Sequence, residues 1–365
     1  MDAGGFPSVV DVGQWRRIAR FGSGRTGSVL LCEGEPIVTS SSPSSDDHGG
    51  LVFHAVKRID RRRLRSGEAA RRVVREKNIL QALKGHPGIV ALRGTSKDDA
   101  YLYFVMEPAL GGPLHKHIRA GLGGHLEASE LTFYAAEIAS AIAHVHGLGF
   151  MHRDIKASNI VLSAKGHTKM VDFGCAKQLT LLKHKHEGNG SSGGIDGECE
   201  ESRTYCGTSH CMAPEMASRQ GHTSAVDWWA LGILIHEMLT GEPPFGYRGS
   251  QLPQRIMSGL PPETADISSS RPLTHIHANR DAPRASPRKA QLLEINPHRR
   301  LGGQGQGASE VMSHPWFNDV DWNKISKHEL EPPPFLTDIG ELDAVEDRQG
   351  KGAKDVDPDG VFDDF

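Results

Sequence analysis

Cysteine, tryptophan and tyrosine are scarce in this chain, at five of each among 365 residues. The cysteines, Cys32, Cys175, Cys199, Cys206 and Cys211, are odd in number and have no framework spacing. That excludes a disulfide-stapled secreted scaffold and points to free thiols in a reducing compartment, cytosolic or nuclear. No apolar run reaches the ~18 residues of a membrane span, and Met1 to Val12 lacks the basic start and apolar stretch of a secretory leader. Neither sign of charge dominates, since 42 Lys and Arg face 45 Asp and Glu for a net charge of −3. Bulk electrostatics therefore gives no reason to expect nucleic acid or an anionic membrane as a partner. With Gly counted and Tyr left out, about 47% of the residues are apolar, inside the ~45–50% typical of globular chains. A wholly disordered protein is excluded, and the length suits two domains or two lobes.

The pattern along the chain changes midway. From Gln14 to Cys32 an extended pattern is broken by Gly22-Ser23-Gly24-Arg25-Thr26-Gly27, which reads as strand, glycine loop, strand. Residues 33–50 are a polar insertion with nothing to bury, expected to be a flexible loop. Strands are expected at Leu51 to Ile59, Ile89 to Leu92 and Tyr101 to Met106, with a helix over Gly67 to Leu83 carrying Ala69, Val73, Ile79, Leu80 and Leu83 near helical spacing. Beyond Gly111-Gly112, two apolar helices are expected at Ala128 to His146 and Val226 to Leu239. The Gly/Ser/His-rich residues 182–201 have no period and are expected to be a flexible insertion. From Glu329 to Phe365, 12 acidic residues face 3 basic ones with four Pro, the composition of an extended tail. The fold class is α+β: a small β-rich N-lobe over 14–109 after a 13-residue extension, a larger mainly helical C-lobe over 110–317, and a tail over 318–365.

A lone G-x-G-x-x-G is weak evidence, but here it heads an ordered series of further motifs. Lys57 lies in His54-Ala55-Val56-Lys57 on the next strand, and Glu76 sits 19 residues on in the first helix. Then come His152-Arg153-Asp154 with Lys156 and Asn159, Asp172-Phe173-Gly174, and Ala213-Pro214-Glu215. This series resembles the signature set of the protein kinases. The segments Thr204 to Thr208, Gly221 to Trp229 and Pro332 to Phe335 narrow the resemblance to the AGC group, nearest the cyclic-nucleotide-dependent kinases, over residues 14 to 335.

The resemblance implies a bilobal kinase fold using ATP and Mg²⁺, with protein Ser or Thr hydroxyls as acceptors. Gly22 to Gly27 would cover the phosphates, with Val29, Ala55, Met106, Glu107 and Ala109 around the adenine. Lys57 would hold the α and β phosphates and Glu76 would keep its ammonium in place. Asp172 and Asn159 are oxygen ligands suited to a hard cation. Asp154 would accept the proton of the substrate hydroxyl, and Lys156 would neutralise the γ-phosphate in transit. Thr204 matches the activation-loop phosphothreonine, with Arg153 as its main partner, otherwise an unpaired cation, and Arg72 as a second clamp. Glu215 is expected to pair with Arg300, and Asp227 to brace the catalytic loop. The subfamily resemblance also implies a separate cyclic-nucleotide-binding regulatory subunit as partner.

Some positions depart from the family pattern. Pro113, Ser158 and Gln254 stand where basophilic relatives carry acids that receive substrate arginines, so an Arg-directed motif is not expected here. Pro113 also removes a ribose contact, and Ser209-His210-Cys211 replaces Pro-Glu-Tyr. The final Phe362-Asp363-Asp364-Phe365 resembles a tail segment that covers the nucleotide and also one that packs on the N-lobe, with a disordered acidic end as the third reading; composition favours the first. Cys199, Cys206 and Cys211 with His184, His186 and His210 lack zinc-ligand spacing and read as thiols and solvated imidazoles. From Lys57 to Lys77 ten basic residues face three acidic ones, a solvated helix face or a dock for an acidic partner. The rivals to an active kinase are an ATP-binding pseudokinase scaffold, kept open by the altered substrate positions, and a small-molecule kinase, disfavoured by the activation segment and tail.

Overall fold

The computed structural model describes residues 8–23, 27–37, 51–64, 66–121, 124–179, 202–259, 292–335 and 362. The expected loop tip at Gly24, Arg25 and Thr26, most of the first insertion, the 182–201 insertion and most of the tail lie outside them. Two compact units emerge: the described residues of Met1–Pro113, Val161–Gly174 and Pro334–Phe365 form one, and those of Leu114–Ile160 and Cys175–Pro333 the other.

The first unit is built on a six-stranded sheet. Its strands are β1 (Ser8–Val9), β2 (Arg16–Ser23), β3 (Gly27–Gly34), β4 (Val52–Asp60), β5 (Leu92–Lys97) and β6 (Tyr101–Met106), in the order β1-β5-β6-β4-β3-β2. Only β1 and β5 run parallel. Leu30, Cys32, Val56 and Tyr103 pack one face, with Trp15 against them. Glu33 and Gly34, expected in the flexible insertion, instead continue β3 in register with Phe53 and Val52. Helix α1 (Gly67–Ala82) starts at Ser66, whose Oγ accepts the Ala69 N–H. Capping of this kind contributes about 1 kcal/mol. Its buried residues Ala70, Val73, Glu76, Lys77, Ile79 and Leu80 recur at three- and four-residue intervals, so Glu76 lies on the inward stripe.

The expected strand at Ile89 to Leu92 is corrected by the structure. Ile89 and Val90 are buried, yet they bond to Met170 from a turn, and β5 starts only at Leu92. Of the four apolar residues only Ile89 and Val90 are buried, Ala91 being exposed and Leu92 half-buried, while the true strand, Leu-Arg-Gly-Thr-Ser-Lys, is mostly polar.

After β7 (Gly112–Pro113), the second unit supplies α2 (Leu114–Ala120), α3 (Ala128–Gly147) and β8 (Phe150–Met151). The chain then gives β9 (Ile160–Leu162) and β10 (Thr168–Met170), and β9 pairs with β10 and β7 in a three-stranded sheet. That pairing joins residues 161–174 to the first unit, although the sequence placed them in the helical lobe. The rest of the second unit holds β11 (Lys177–Gln178), paired with β8, and α4 (Pro214–Ala217), α5 (Ala225–Thr240), α6 (Leu252–Ser258), α7 (Ala308–Met312) and α8 (Trp322–Ile325). Helix α5 is buried on every side from Ala225 to Met238, which explains its lack of a polar stripe. Trp229 stacks on Phe245 within a core that includes Met212, Met216, Ile233, Leu252 and Leu293. No described helix is long and apolar enough to cross a membrane.

The tail reading also changes. Phe362 is 1% exposed, its carbonyl accepts a bond from Lys97 Nζ, and its ring lies 5.8 Å from the Arg61 guanidinium. The aromatic side chain is thus seated in the first unit, beside β5 and the end of β4. The packing alternative, which composition had disfavoured, is the one this residue adopts, because an enclosed ring with a cation beside it outweighs the acidity of its neighbours.

Candidate active site

The signature residues fall on both units, and each group has its own geometry. In the first unit Lys57 sits in the middle of β4, in register with Val29 on β3 and Phe104 on β6. Its Nζ donates to Glu76 Oε1 at 2.6 Å and to Asp172 Oδ1 at 3.0 Å. Burial alone would lower the lysine pKa, but the two carboxylates outweigh it and hold the pKa above the ordinary value. Burial raises the Glu76 pKa, with Lys57 opposing and Asp172 adding to the rise. Asp172 has a left-handed backbone, φ 62°, and its side chain is 51% exposed. An ammonium has three donors and two are taken, which leaves one for an incoming anion. Arg72 lies half-buried one turn before Glu76 on α1.

The glycine turn is described at its two ends. Gly22 and Ser23 close β2 and Gly27 opens β3. A Cβ on Gly27 would lie 1.8 Å from the Arg58 carbonyl O, so no other residue fits there without moving β4. Val29 is half-buried, and Ala55 and Met106, paired across β4 and β6, are buried. Glu107 comes directly after Met106, its N–H bonded to Ala91 O, and Ala109 lies two residues on.

The second unit carries the loop from His152 to Asn159. Asp154 is its hub: Oδ2 accepts from Lys156 Nζ and Asn159 Nδ2, both at 2.9 Å, and Oδ1 accepts from Thr208 Oγ1 at 2.6 Å. Lys156 Nζ also donates to Thr208 Oγ1 at 2.6 Å. Asn159 Nδ2 bonds the Asp154 carbonyl as well, which turns the amide oxygen away from Asp154. Asp227, fully buried at the start of α5, accepts the backbone N–H of His152 on Oδ2 and that of Arg153 on Oδ1, both at 2.8 Å. His146 Nε2 lies 2.8 Å from Oδ2. Burial would raise the Asp227 pKa, but these partners overcome it and the pKa is lowered. This brace holds Arg153 at φ 67°, a left-handed conformation costing on the order of 1–3 kcal/mol.

Arg153 is not the unpaired cation expected of it. Its Nε donates to Cys175 O at 2.8 Å, and NH1 to Ser202 Oγ at 2.9 Å and, more loosely, to Thr204 O at 3.5 Å. Thr204 itself is exposed. Gly207 has φ 93°, and a Cβ there would meet the Arg153 carbonyl at 2.5 Å. The Glu215 and Arg300 pair is bidentate at 2.7 and 2.9 Å, with Arg300 fully buried under Trp229.

Thr208 is a residue of this cluster that sequence reasoning passed over. It lies 54 residues from Asp154, and only its place directly after Gly207 could have marked it. Glu237 was also passed over: this buried acid accepts from Tyr247 Oη at 2.9 Å, and burial raises its pKa. Pro113 lies in β7, while Ser158 and Gln254 are exposed. Among the described residues, Cys206, His210 and Cys211 form no metal-ligand cluster, and the Cys206 thiol instead lies 3.9 Å from Cys175 O.

Known proteins resemble this chain along most of its length. The family model described as the protein kinase domain matches residues 15–317. A Caenorhabditis elegans "cAMP-dependent protein kinase, catalytic subunit-like" is 33% identical over 340 residues, covering 92% of this chain and 73% of that protein. The mouse "cAMP-dependent protein kinase catalytic subunit PRKX" is 31% identical over 335 residues, covering 91% of this chain and 81% of its own. Mouse "Ribosomal protein S6 kinase alpha-4" is 33% identical over 275 residues, 73% of this chain and 31% of that longer protein.

Proposed function

The chain belongs to the protein kinase family, in its AGC group, and is a serine/threonine protein kinase; from that premise we propose that it is catalytically active, with Asp154 as the base that receives the hydroxyl proton of a protein Ser or Thr. The observation that carries the proposal is the set of three donors around the Asp154 carboxylate, from Lys156, Asn159 and Thr208. Together they fix the carboxylate in one orientation, which is what a positioned proton acceptor needs.

The donor set also suits the group that the family uses. Asp172 offers a half-exposed carboxylate and Asn159 an amide oxygen, both hard ligands fit for Mg²⁺. Lys57, anchored by Glu76, offers a fixed cation to the phosphates of ATP, and Gly22 to Gly27 with Val29, Ala55, Met106, Glu107 and Ala109 would surround the nucleotide. Bound Mg-ATP supplies the phosphoryl group and neutralises its charge. The protein orients the acceptor hydroxyl through Asp154 and places Lys156 beside the same carboxylate. Phosphoryl transfer demands little covalent chemistry of the protein, so this positioning is its main contribution.

For regulation, we propose that phosphate on Thr204 draws Arg153 away from Ser202 into a bidentate pair. The exposure of Thr204 and the reach of Arg153 to its carbonyl support the reading. Signalling is the setting we assign, in the cytosol or nucleus, with a separate cyclic-nucleotide-binding subunit as regulator. The names of the relatives are its support.

The test is transfer of labelled phosphate from Mg-ATP to a Ser/Thr peptide library by the wild type, Lys57→Met and Asp154→Asn. Signal lost in both variants supports these roles, and its sequence pattern reports whether Pro113, Ser158 and Gln254 have removed arginine preference. A wild type bearing Thr204 phosphate that binds Mg-ATP yet transfers nothing would favour the scaffold. Thr204→Ala is expected to lower kcat with folding intact.

A further inference from the structure

Lys169, at the centre of β10, lies outside every residue set assigned to the nucleotide, yet its side chain is only 12% exposed. Its Nζ donates to Glu107 Oε1 at 2.8 Å and to the Pro87 carbonyl O at 2.9 Å. The same Oε1 accepts the Ala91 N–H at 2.8 Å, and the Glu107 N–H returns a bond to Ala91 O at 3.0 Å. Backbone bonds from Val90 N–H to Met170 O and from Met170 N–H to Gly88 O run alongside. One ammonium therefore joins β10, the segment 87–91 and the first residue after β6, all within the first unit.

Stability alone does not call for charge at such a junction. An enclosed ion pair can often be replaced by apolar residues without loss, because the desolvation of two charges offsets their attraction. What the charged pair adds is direction: a carboxylate held by an ammonium and a backbone N–H has one position, and so does the backbone that carries it.

We infer that Lys169 is a positioning residue for adenine, acting through the Glu107 carboxylate to fix the main-chain groups of Glu107 to Ala109. The inference rests on the reading of that segment as the adenine contact. Lys57, Glu76 and Asp172, which on the proposed function would hold the triphosphate end, are tied to one another by separate bonds, so disturbing Lys169 should affect the base and spare the phosphates.

Lys169→Met keeps the stem of the side chain and removes the charge; Lys169→Arg keeps donors for both Glu107 and Pro87; Lys169→Gln keeps one donor should the methionine variant fail to fold. The measurements, on the full chain, are Kd for ATP, adenosine and inorganic tripolyphosphate, with kcat and KM for ATP and GTP on a phosphorylated peptide. In Lys169→Met, ATP and adenosine should both weaken about tenfold, with tripolyphosphate within about twofold. KM for ATP should rise while kcat changes less than about twofold, and the preference for ATP over GTP should shrink. Lys169→Arg should restore most of each, and Lys169→Gln should fall between. Unchanged adenosine and ATP binding in folded Lys169→Met overturns the inference, as does equal weakening of all three ligands with a lowered Tm, the mark of structural support alone. A wild type that binds tripolyphosphate but not adenosine would instead refute the adenine reading of residues 107 to 109 itself.

Discussion

Thr208→Val replaces a hydroxyl by a methyl of nearly the same size and so tests geometry with little change of packing. The hydroxyl donates to Asp154 Oδ1 and accepts from Lys156 Nζ, both at 2.6 Å. Without it, Asp154 keeps two of its three side-chain donors and Lys156 keeps Asp154 Oδ2 at 2.9 Å. A hydrogen bond to a charged group contributes about 1.5–3 kcal/mol. If that amount is felt fully in the transition state, kcat falls by about 10- to 150-fold. Folding should be little affected, because Lys156 and Asn159 still hold the loop and Asp227 still braces it. Thr208→Ser restores the hydroxyl and should recover most of the rate. The assay is steady-state phosphorylation of a Ser/Thr peptide with saturating Mg-ATP, alongside a melting curve. A Thr208→Val protein with wild-type kcat would refute the view that this hydroxyl positions the base, and a matching fall in Tm would show that it supports the fold instead.

Three further outcomes are expected. Arg300→Met leaves the enclosed Glu215 without its partner and should destabilise the second unit by about 3–5 kcal/mol, read by urea unfolding; an unchanged midpoint contradicts the buried-pair assignment. Three buried histidines, His54, His222 and His236, have pKa values lowered first by burial. The unfolded chain therefore binds more protons below about pH 6.5, and stability falls from there as pH drops through the lower folded values, by up to about 1.4 kcal/mol per pH unit for each group in its window. A Tm that stays flat from about pH 7.5 to about pH 5.5 would argue against them. Gly207→Ala adds a methyl 2.5 Å from the Arg153 carbonyl at a left-handed φ of 93°; it should lower kcat more than about tenfold, and full activity would mean that the loop shifts freely.

The ordered spacing singled out Lys57, Glu76, Asp154, Asn159 and Asp172, and the structure brings Lys57 to Glu76 and Asp172, and Asn159 to Asp154. Helices α1, α3 and α5 were legible to within two residues because their apolar positions are dense and well bounded. Contacts between distant residues were not. Thr208 meets Asp154 across 54 positions and Lys169 meets Glu107 across 62, and no local periodicity encodes either pairing. Strand β5 was missed for a related reason: its Thr95 and Ser96 are buried by neighbouring structure and satisfied by the ladder, so burial left no trace in hydrophobicity. At Phe362, acidic neighbours drew the sequence reading toward charge, whereas the ring determines where the residue sits.

Arg153 and Asp172 share left-handed backbones although neither is glycine. Glycine or asparagine would adopt φ values of 67° and 62° more easily. A laboratory evolution experiment that selects only for heat resistance would therefore weigh, at these two codons, an easier backbone against the side-chain bonds given up, and on the proposed roles any such replacement would cost turnover. Screening for turnover alongside heat tolerance would separate the two pressures, since the left-handed backbones set a guanidinium on Cys175 O and Ser202 Oγ and a carboxylate on Lys57 Nζ.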